Sequence, residues 1–404
     1  LVQSLFDLWR SGKPGPGAGL GCIGTSYYTK FFASKSSCTS EQLYRSYSDY
    51  TQWIPTLSDA EFHRYERFGL PDIVSGSRCC FVPKTTKTSR MVCVEPNINM
   101  FAQLGLGSIL ESRLKAYFDI DLATQPEKNR RLAKAASVDG SYATIDLSSA
   151  SDSISLRLCE MLLPKWFFEL LLLLRSHTTL IDGKKVPLYM ISTMGNGYTF
   201  PLQTMIFSSI VRAVNRNMGN HELDFSVFGD DIICRTNCAP TVLSILKCLG
   251  FIPNPDKTFI EGQFRESCGA DWFNGQPVRP VFIKHLDTPQ DTLVAINQLN
   301  VWSALTGIAL PRAVDYLLSS LGRRFRNAVP YASGLDSGIR VPLALVEKPR
   351  FSRDTQSYVY KAWENRVAKI RISDEGSIRA PKRFGKLFYN PSGLYYSFLY
   401  GELS

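Results

Sequence analysis

Two hydrophobic periods alternate along this chain, and their order is the first thing it offers. Apolar residues three to four apart predict helices over Ser58–Phe68, Asn97–Tyr117, Pro126–Ala136, Leu202–Asn217 and Pro240–Leu249, and later over Thr292–Leu305 and Arg312–Leu321. Short β-rich runs lie between them: Cys79–Pro83 and Met91–Pro96 around a polar turn, Ser141–Leu147, Leu180–Ile191 around Asp182-Gly183, Ser226–Cys234 around Gly229, and a turn at Asn274-Gly275. After Ser148–Ser153, the residues Ile154, Leu158, Met161 and Leu162 form a helical stripe, and Trp166–Leu174 reads as a buried helix. Helices and antiparallel hairpins are mixed without a βαβ rhythm, so the expected class is α+β. There is no internal repeat.

Composition narrows the reading. A chain of 404 residues with 44% hydrophobic content can bury a large core and suggests two or three subdomains. Lys and Arg outnumber Asp and Glu by 46 to 36. The surplus is concentrated late, with 15 basic and 7 acidic residues from Ser320 to Ser404, which predicts a basic face and a polyanionic partner. The ten cysteines include no CxxC pair. Cys234 and Cys238, with Cys248 and Cys268 beyond, leave a weak zinc reading beside free thiols in a reducing compartment. Trp166–Leu174 is too short to span a bilayer. The Gly-rich stretch Ser11–Gly24 is interrupted by prolines and lacks a Gly-Lys-Ser/Thr ending, so it reads as a loop. The chain begins at Leu1 rather than Met, which points to a missing N-terminal part.

Chemistry enters with the acids. Gly229 in a tight turn lifts Asp230 and Asp231 to a hairpin tip, where two like charges repel unless a hard divalent cation takes their oxygens. The same residues would also make an ordinary solvated turn. Asp146 falls at the end of a strand, and Asp152 six residues on is either a site residue or the cap of the following helix. Lys84, Lys87 and Arg90 share a turn with four hydroxyls and no acid, a pattern suited to phosphate. Ser192–Pro201 is a Gly-, amide- and hydroxyl-rich loop before a helix. Carboxylates on adjacent strands can hold two divalent ions about 4 Å apart for phosphoryl transfer, and Mg²⁺ suits an all-oxygen set.

Four ordered motifs carry a resemblance: Asp146-Leu-Ser-Ser-Ala-Ser-Asp152-Ser-Ile-Ser, Met194-Gly-Asn-Gly-Tyr-Thr-Phe, Phe228-Gly-Asp230-Asp231-Ile-Ile and Phe264-Arg-Glu-Ser-Cys-Gly269. With the Lys84, Lys87 and Arg90 turn, the chain resembles the RNA-directed RNA polymerases of positive-strand RNA bacteriophages, the replicase beta subunits of the Qβ-like leviviruses, over roughly Cys79–Lys284. That resemblance implies a right-hand polymerase fold, with fingers over 1–140 and near 163–190, a palm over 141–285 and a thumb with basic tail over 286–404. It implies two Mg²⁺ ions on Asp146, Asp230 and Asp231. It further implies triphosphate contacts from Lys84, Lys87 and Arg90, selection of the ribose 2′-hydroxyl by Asp152, Asn196 and Thr199, and protonation of pyrophosphate by Lys257.

The same resemblance implies a single-stranded RNA template, nascent RNA and nucleoside triphosphates as partners. Host elongation factors Tu and Ts and a ribosomal protein, and a place in the cytoplasm of the infected bacterium, follow by the same analogy. Primer-independent initiation would give Tyr395, Tyr396 and Tyr400 a stacking role. Two departures stand out: Phe228 occupies a position where Tyr is usual, and Pro201 one where many relatives carry an acid. A reverse transcriptase shares the acids but would carry a different residue at Gly229 and a bulky sugar gate. A catalytically dead RNA-binding protein would be indifferent to Asp230→Asn.

Overall fold

The computed structural model describes residues 5–83, 88–283 and 285–363, with the backbone of 371–372 and 378–379. It divides into two compact units at Gly275/Gln276.

The first unit opens with short helices, α1 (Leu5–Arg10), α2 (Tyr27–Phe31), α3 (Glu41–Gln52) and α4 (Pro55–Phe68), and a two-residue parallel pairing of β1 (Ser37–Cys38) with β2 (Asp72–Ile73). Ser40 caps α3 by accepting from Leu43 N. Trp9, Tyr47, Tyr50 and Phe101 form an aromatic cluster with centroids 5.3–6.5 Å apart, which seats these helices on α5 (Asn97–Phe118). Within α5, Leu106, Leu110 and Leu114 are fully buried, each contributing about 1.5–3 kcal/mol.

Between the early helices and α5 lie β3 (Gly76–Pro83) and β4 (Ser89–Val94). The chain continues with α6 (Gln125–Asp139), β5 (Tyr142–Ile145), β6 (Leu147–Ser148), a 3₁₀ turn at Ser151–Ser153, α7 (Leu156–Leu162) and α8 (Lys165–Leu174). A hairpin of β7 (Thr178–Ile181) and β8 (Lys184–Pro187) turns at Asp182-Gly183 as expected and extends the β3–β4 pair into a four-stranded sheet, order β4-β3-β7-β8. Next come α9 (Thr199–Asn217), β9 (Phe225–Phe228), β10 (Asp231–Arg235), α10 (Ala239–Cys248), β11 (Ile252–Pro253), β12 (Phe264–Ser267) and β13 (Ala270–Phe273).

The site rests on the three-stranded antiparallel sheet β5-β10-β9, whose inward residues Ala143, Ile145, Val227, Ile232 and Cys234 join the main core. This mixed architecture, with the Gly-Asp-Asp hairpin on an antiparallel sheet, agrees with the α+β class read from the pattern. α9 starts three residues before Leu202 and takes in Pro201, whose missing N–H falls among the groups a first turn leaves unbonded anyway. One expectation of burial is corrected, that of Trp166 in the segment Trp166–Leu174, and the α7 stripe is also partly exposed. Met161 and Leu162 are 64% and 44% exposed, and Trp166 is 47% exposed, because α7 and α8 turn only one face each to the core.

The second unit starts at β14 (Gln276–Pro277) and centres on α11 (Pro289–Thr306) and α12 (Pro311–Ser320), packed through Leu293, Ile296, Leu317 and Leu321. Thr288 and Asp291 form a capping box at the start of α11, and Gly307 ends it. Short pairs follow: β15 (Ala328–Pro330) with β16 (Ile339–Val341), β17 (Arg350–Ser352) with β18 (Ser357–Val359), and β19 (Arg371–Ile372) with β20 (Ile378–Arg379). Among the described residues, no helix is long and apolar enough to cross a membrane.

Candidate active site

The hairpin β9–β10 is closed by only two residues, Gly229 and Asp230, with Asp231 paired to Phe228. Gly229 has φ +63° and Asp230 a negative φ, the pattern of a II′ turn, whose twist matches the strands it joins. Glycine is required there twice over. A Cβ on Gly229 would lie 2.3 Å from Phe200 Cε2 and 2.9 Å from Gln203 Nε2, so the turn is pressed against the first turns of α9. Gly229 N donates to Thr204 Oγ1 at 3.0 Å, and Phe228 meets Phe200 edge to face at 4.7 Å. The Phe228 ring thus packs beside the acids.

Asp146 sits where β5 gives way to β6, one strand over from β10. The segment after β11 holds it in place. Asn254 Nδ2 donates to Asp146 Oδ2 at 3.0 Å, Asn254 N donates to the Asp146 carbonyl at 2.9 Å, and Thr258 Oγ1 lies 3.4 Å from both the Asp146 N–H and its carbonyl. One Asp146 carboxylate oxygen is therefore aimed by an amide more than a hundred positions away.

A polar cavity of about 630 Å³ opens over these acids, lined by Arg90, Asp146, Asp152, Asp230, Asn254 and Lys257 among others. Arg90 reaches it from β4, which is fastened to the loop before α9 by a Cys93 N to Met194 O bond of 2.8 Å. Gly195 permits that contact: its φ is +114°, and a Cβ would lie 2.3 Å from the Cys93 carbonyl. Asp152 lies in the 3₁₀ turn. It is not the cap of α7, because Ser155 takes that place and accepts from Leu158 N. Asp152 Oδ1 is buried and has no hydrogen-bond partner among the described residues. Burial raises the Asp152 carboxyl above its usual range, against a lowering hydrogen bond from the Met194 backbone.

Asp231 faces away from the cavity mouth, its Oδ1 accepting from Cys268 N at 3.1 Å and from Ser267 Oγ at 3.3 Å. Burial pushes its pKa up, the Cys268 backbone bond pulls it down, and the charges of Asp230 and Asp146 push it up again. Lys257, beside Glu266 at 3.4 Å, loses some basicity to burial but regains more from Glu266, Asp146 and Asp231, so its ammonium is held above its usual pKa.

The structure thus brings together Asp146, Asp230, Asp152, Arg90 and Lys257 around one cavity, with Asp231 behind. Asn196 and Thr199 do not line it. Both are buried, Asn196 Oδ1 accepting from Tyr198 N at 3.3 Å and Thr199 Oγ1 donating to the Thr193 carbonyl at 3.1 Å, so they shape the loop from within. Lys84 and Lys87, and the terminal Tyr395, Tyr396 and Tyr400, lie outside the described residues. Cys234 and Cys238 are buried thiols, Cys238 Sγ bonded to Asn215 Oδ1 at 3.3 Å. Asn254, Thr258 and Ser267 were not foreseen as site residues; the one signal for the first was an amide set between two prolines.

Among the described residues no three His, Cys, Asp or Glu side chains close into a ready metal cage. The donor set nevertheless suits a hard divalent cation that keeps water and substrate oxygens in its shell. Asp231 feels the charges of Asp230 and Asp146, and among the described residues Lys257 is the one ammonium lining the cavity.

A family model described as RNA replicase, beta-chain, matches residues 28–380. The RNA-directed RNA polymerase subunit beta of Escherichia virus Qbeta is 44% identical over 263 residues, covering 65% of this chain and 44% of that protein. The corresponding beta chain of Escherichia phage MS2 is 42% identical over 70% of this chain and 51% of its own length, and that of Enterobacteria phage GA 37% identical over 78% and 55%. The chain spans about half the length of the curated relatives it matches. Among solved structures, an insertion-loop deletion mutant of the RNA-dependent RNA polymerase of a human picobirnavirus aligns over 61% of this chain and 58% of that one, with TM-score 0.40 and 12% identity.

Proposed function

Since the chain belongs to the RNA replicase beta-chain family, we propose that it carries the catalytic centre of an RNA-directed RNA polymerase, copying a single-stranded RNA phage genome from nucleoside triphosphates and releasing pyrophosphate. The observation that carries this reading is the convergence of Asp146 and Asp230, from neighbouring strand ends, on a polar cavity that also receives Arg90, Asp152 and Lys257.

Asp146, Asp230 and Asp231 would hold two Mg²⁺ ions, which when bound supply activation of the attacking 3′-hydroxyl and neutralise charge on the departing oxygens. The chain's own groups do the rest. Asn254 keeps one Asp146 oxygen turned inward, so the carboxylate needs no rearrangement when substrate arrives. Arg90 offers an exposed guanidinium to the triphosphate, with Lys84 and Lys87 from the same turn as further cations. Asp152 lines the cavity, and its carboxyl is an acceptor for a hydroxyl donor, which a ribose 2′-hydroxyl would provide. Asn196 and Thr199 act on this choice indirectly, by fixing the loop whose Met194 N–H bonds Asp152. Lys257, held protonated by its acidic neighbours, can donate to the leaving pyrophosphate.

The relatives are named as a subunit or chain. Host elongation factors Tu and Ts and a ribosomal protein are the partners proposed here, in the cytoplasm of the infected bacterium. The test is Mg²⁺-dependent incorporation of labelled ribonucleotides on a single-stranded RNA template, wild type against Asp230→Asn, with and without bacterial extract. Incorporation that disappears in Asp230→Asn supports the reading, and dependence on extract supports the host partners. Equal incorporation by both proteins, or a preference for deoxyribonucleotides, overturns it.

A further inference from the structure

Behind the hairpin, four buried polar side chains form a single line of hydrogen bonds that ends on the half-buried Asp231. Gln125 Nε2 donates to Ser226 Oγ at 2.7 Å, and Ser226 Oγ donates to Asn129 Oδ1 at 2.5 Å. Asn129 Nδ2 then donates to Ser267 Oγ at 3.1 Å, and Ser267 Oγ donates to Asp231 Oδ1 at 3.3 Å. Gln125, Asn129, Ser226 and Ser267 are each no more than 1% exposed. The line ties α6 to both hairpin strands and to β12.

Its direction is fixed by the partners. Ser226 receives a proton from Gln125, so its own proton must go to an acceptor, which makes the facing Asn129 atom the oxygen. The other Asn129 atom also lies 3.4 Å from the Asp231 carbonyl, where an amide oxygen would be repelled and an amide nitrogen is welcome. Every donor therefore points toward the carboxylate. Aligned bonds of this kind polarise one another, and the charge at the end gives them their strongest acceptor.

Stability alone does not account for this arrangement. A buried neutral hydrogen bond contributes about 1 kcal/mol net, and packed apolar side chains in the same space would do as well. Alignment of Asp231 is what an apolar filling cannot supply. We propose that Asn129 is a positioning residue for the metal-binding acids: through Ser267 it fixes the carboxylate of Asp231, and through Ser226 and the Asp231 backbone it fixes the hairpin that carries Asp230. This rests on the polymerase reading of the site.

The test uses the 404-residue chain and Mn²⁺ as the probe, with binding followed by electron paramagnetic resonance. Asn129→Leu keeps the volume and removes the bonds; Ser267→Ala breaks the line nearer its end and guards against misfolding of the first variant. Each is expected to weaken Mn²⁺ binding about tenfold, as loss of an outer-shell partner does, while the melting temperature stays within a few degrees of wild type. Because both act through one line, the double variant should bind no worse than the weaker single variant. Unchanged Mn²⁺ affinity in both variants, or additive losses tracking additive falls in melting temperature, would overturn the proposal in favour of plain packing. If wild type shows no Mn²⁺ site sensitive to Asp230→Asn, the polymerase reading fails first, and that result is separable because it needs neither variant.

Discussion

Gly229→Ala separates two costs that the hairpin turn avoids. The first is backbone: at φ +63° an L-residue with a Cβ is strained by about 1–2 kcal/mol. The second is steric, since the new Cβ would lie 2.3 Å from Phe200 Cε2, and the ring must move by more than 1 Å or the turn must lift. Phe200 is held by its edge-to-face contact with Phe228, so overpacking should add about 1–3 kcal/mol. Together these predict a loss of about 2–5 kcal/mol, read by urea unfolding or as a fall of roughly 3–9 °C in melting temperature for a unit of this size. Placing the change in a Phe200→Ala background isolates the terms. There the ring is gone, and the nearest remaining neighbour is the Gln203 amide at 2.9 Å, which need yield by only a few tenths of an ångström. The cost of Gly229→Ala should then fall to the backbone part, about 1–2 kcal/mol, leaving a coupling of about 1–3 kcal/mol between the two sites. An identical cost in both backgrounds would refute the clash, and a cost below about 0.5 kcal/mol in the wild-type background would refute the turn geometry as well.

Two further perturbations test the surrounding frame. Glu95 is 1% exposed, and burial raises its pKa despite donors from Ser176 at 2.7 Å and Gln103 at 3.2 Å. A raised carboxyl keeps its proton in the folded state while the unfolded chain has lost it, so stability falls as pH rises from the ordinary Glu range through the folded pKa. Glu95→Gln removes that slope. The stability of the variant relative to wild type should climb with pH from about 4 upward and then level off, and parallel curves in urea melts across that window would contradict the assignment. Arg265 is fully buried, its guanidinium donating to five carbonyls, those of Tyr142, Ile260, Glu261, Gly262 and Phe264, at 2.7–3.3 Å. Arg265→Met would leave buried carbonyls unpaired at about 1–3 kcal/mol each, a loss of at least about 4 kcal/mol, visible as aggregation on expression or a collapsed unfolding midpoint. A variant within about 1 kcal/mol of wild type in urea unfolding would show the carbonyls finding water instead.

What the sequence made legible, and what it did not, divides along chain separation. The helices from α5 onward and the hairpins at Asp182-Gly183, Gly229-Asp230 and Asn274-Gly275 are local objects, set by period, caps and turn chemistry within a dozen residues, and they lie where the pattern put them. The acids belong to those objects. Asp146 ends a strand and Asp230 tips a hairpin, so their presence and the family they point to could be read directly. Exposure was harder, because Trp166 and Met161 sit on good apolar stripes whose width exceeds the surface available to cover them. Ser155 displaced Asp152 as a cap because both are competent caps three positions apart, and only the course of the backbone between them decides.

The orientation of the acids lies beyond local pattern altogether. Asn254 reaches back 108 positions to Asp146, Ser267 36 to Asp231, and Asn129 138 forward to Ser267. An Asn or Ser buried at such a distance leaves no period and no spacing in the chain; it reads as an ordinary loop or helix residue. Asn196 and Thr199 show the converse, polar residues in a motif whose side chains turn into the protein and act by holding a loop. The carboxylates of the candidate site are thus specified locally, while the groups that aim them come from distant segments gathered by the fold. Mutations at Asn129, Asn254 and Ser267 should for that reason impair alignment of the acids more than formation of the sheet that carries them, since the sheet's own register, Ile232 opposite Ile145 and Val227, is fixed by apolar side chains of the main core, to which none of the three belongs.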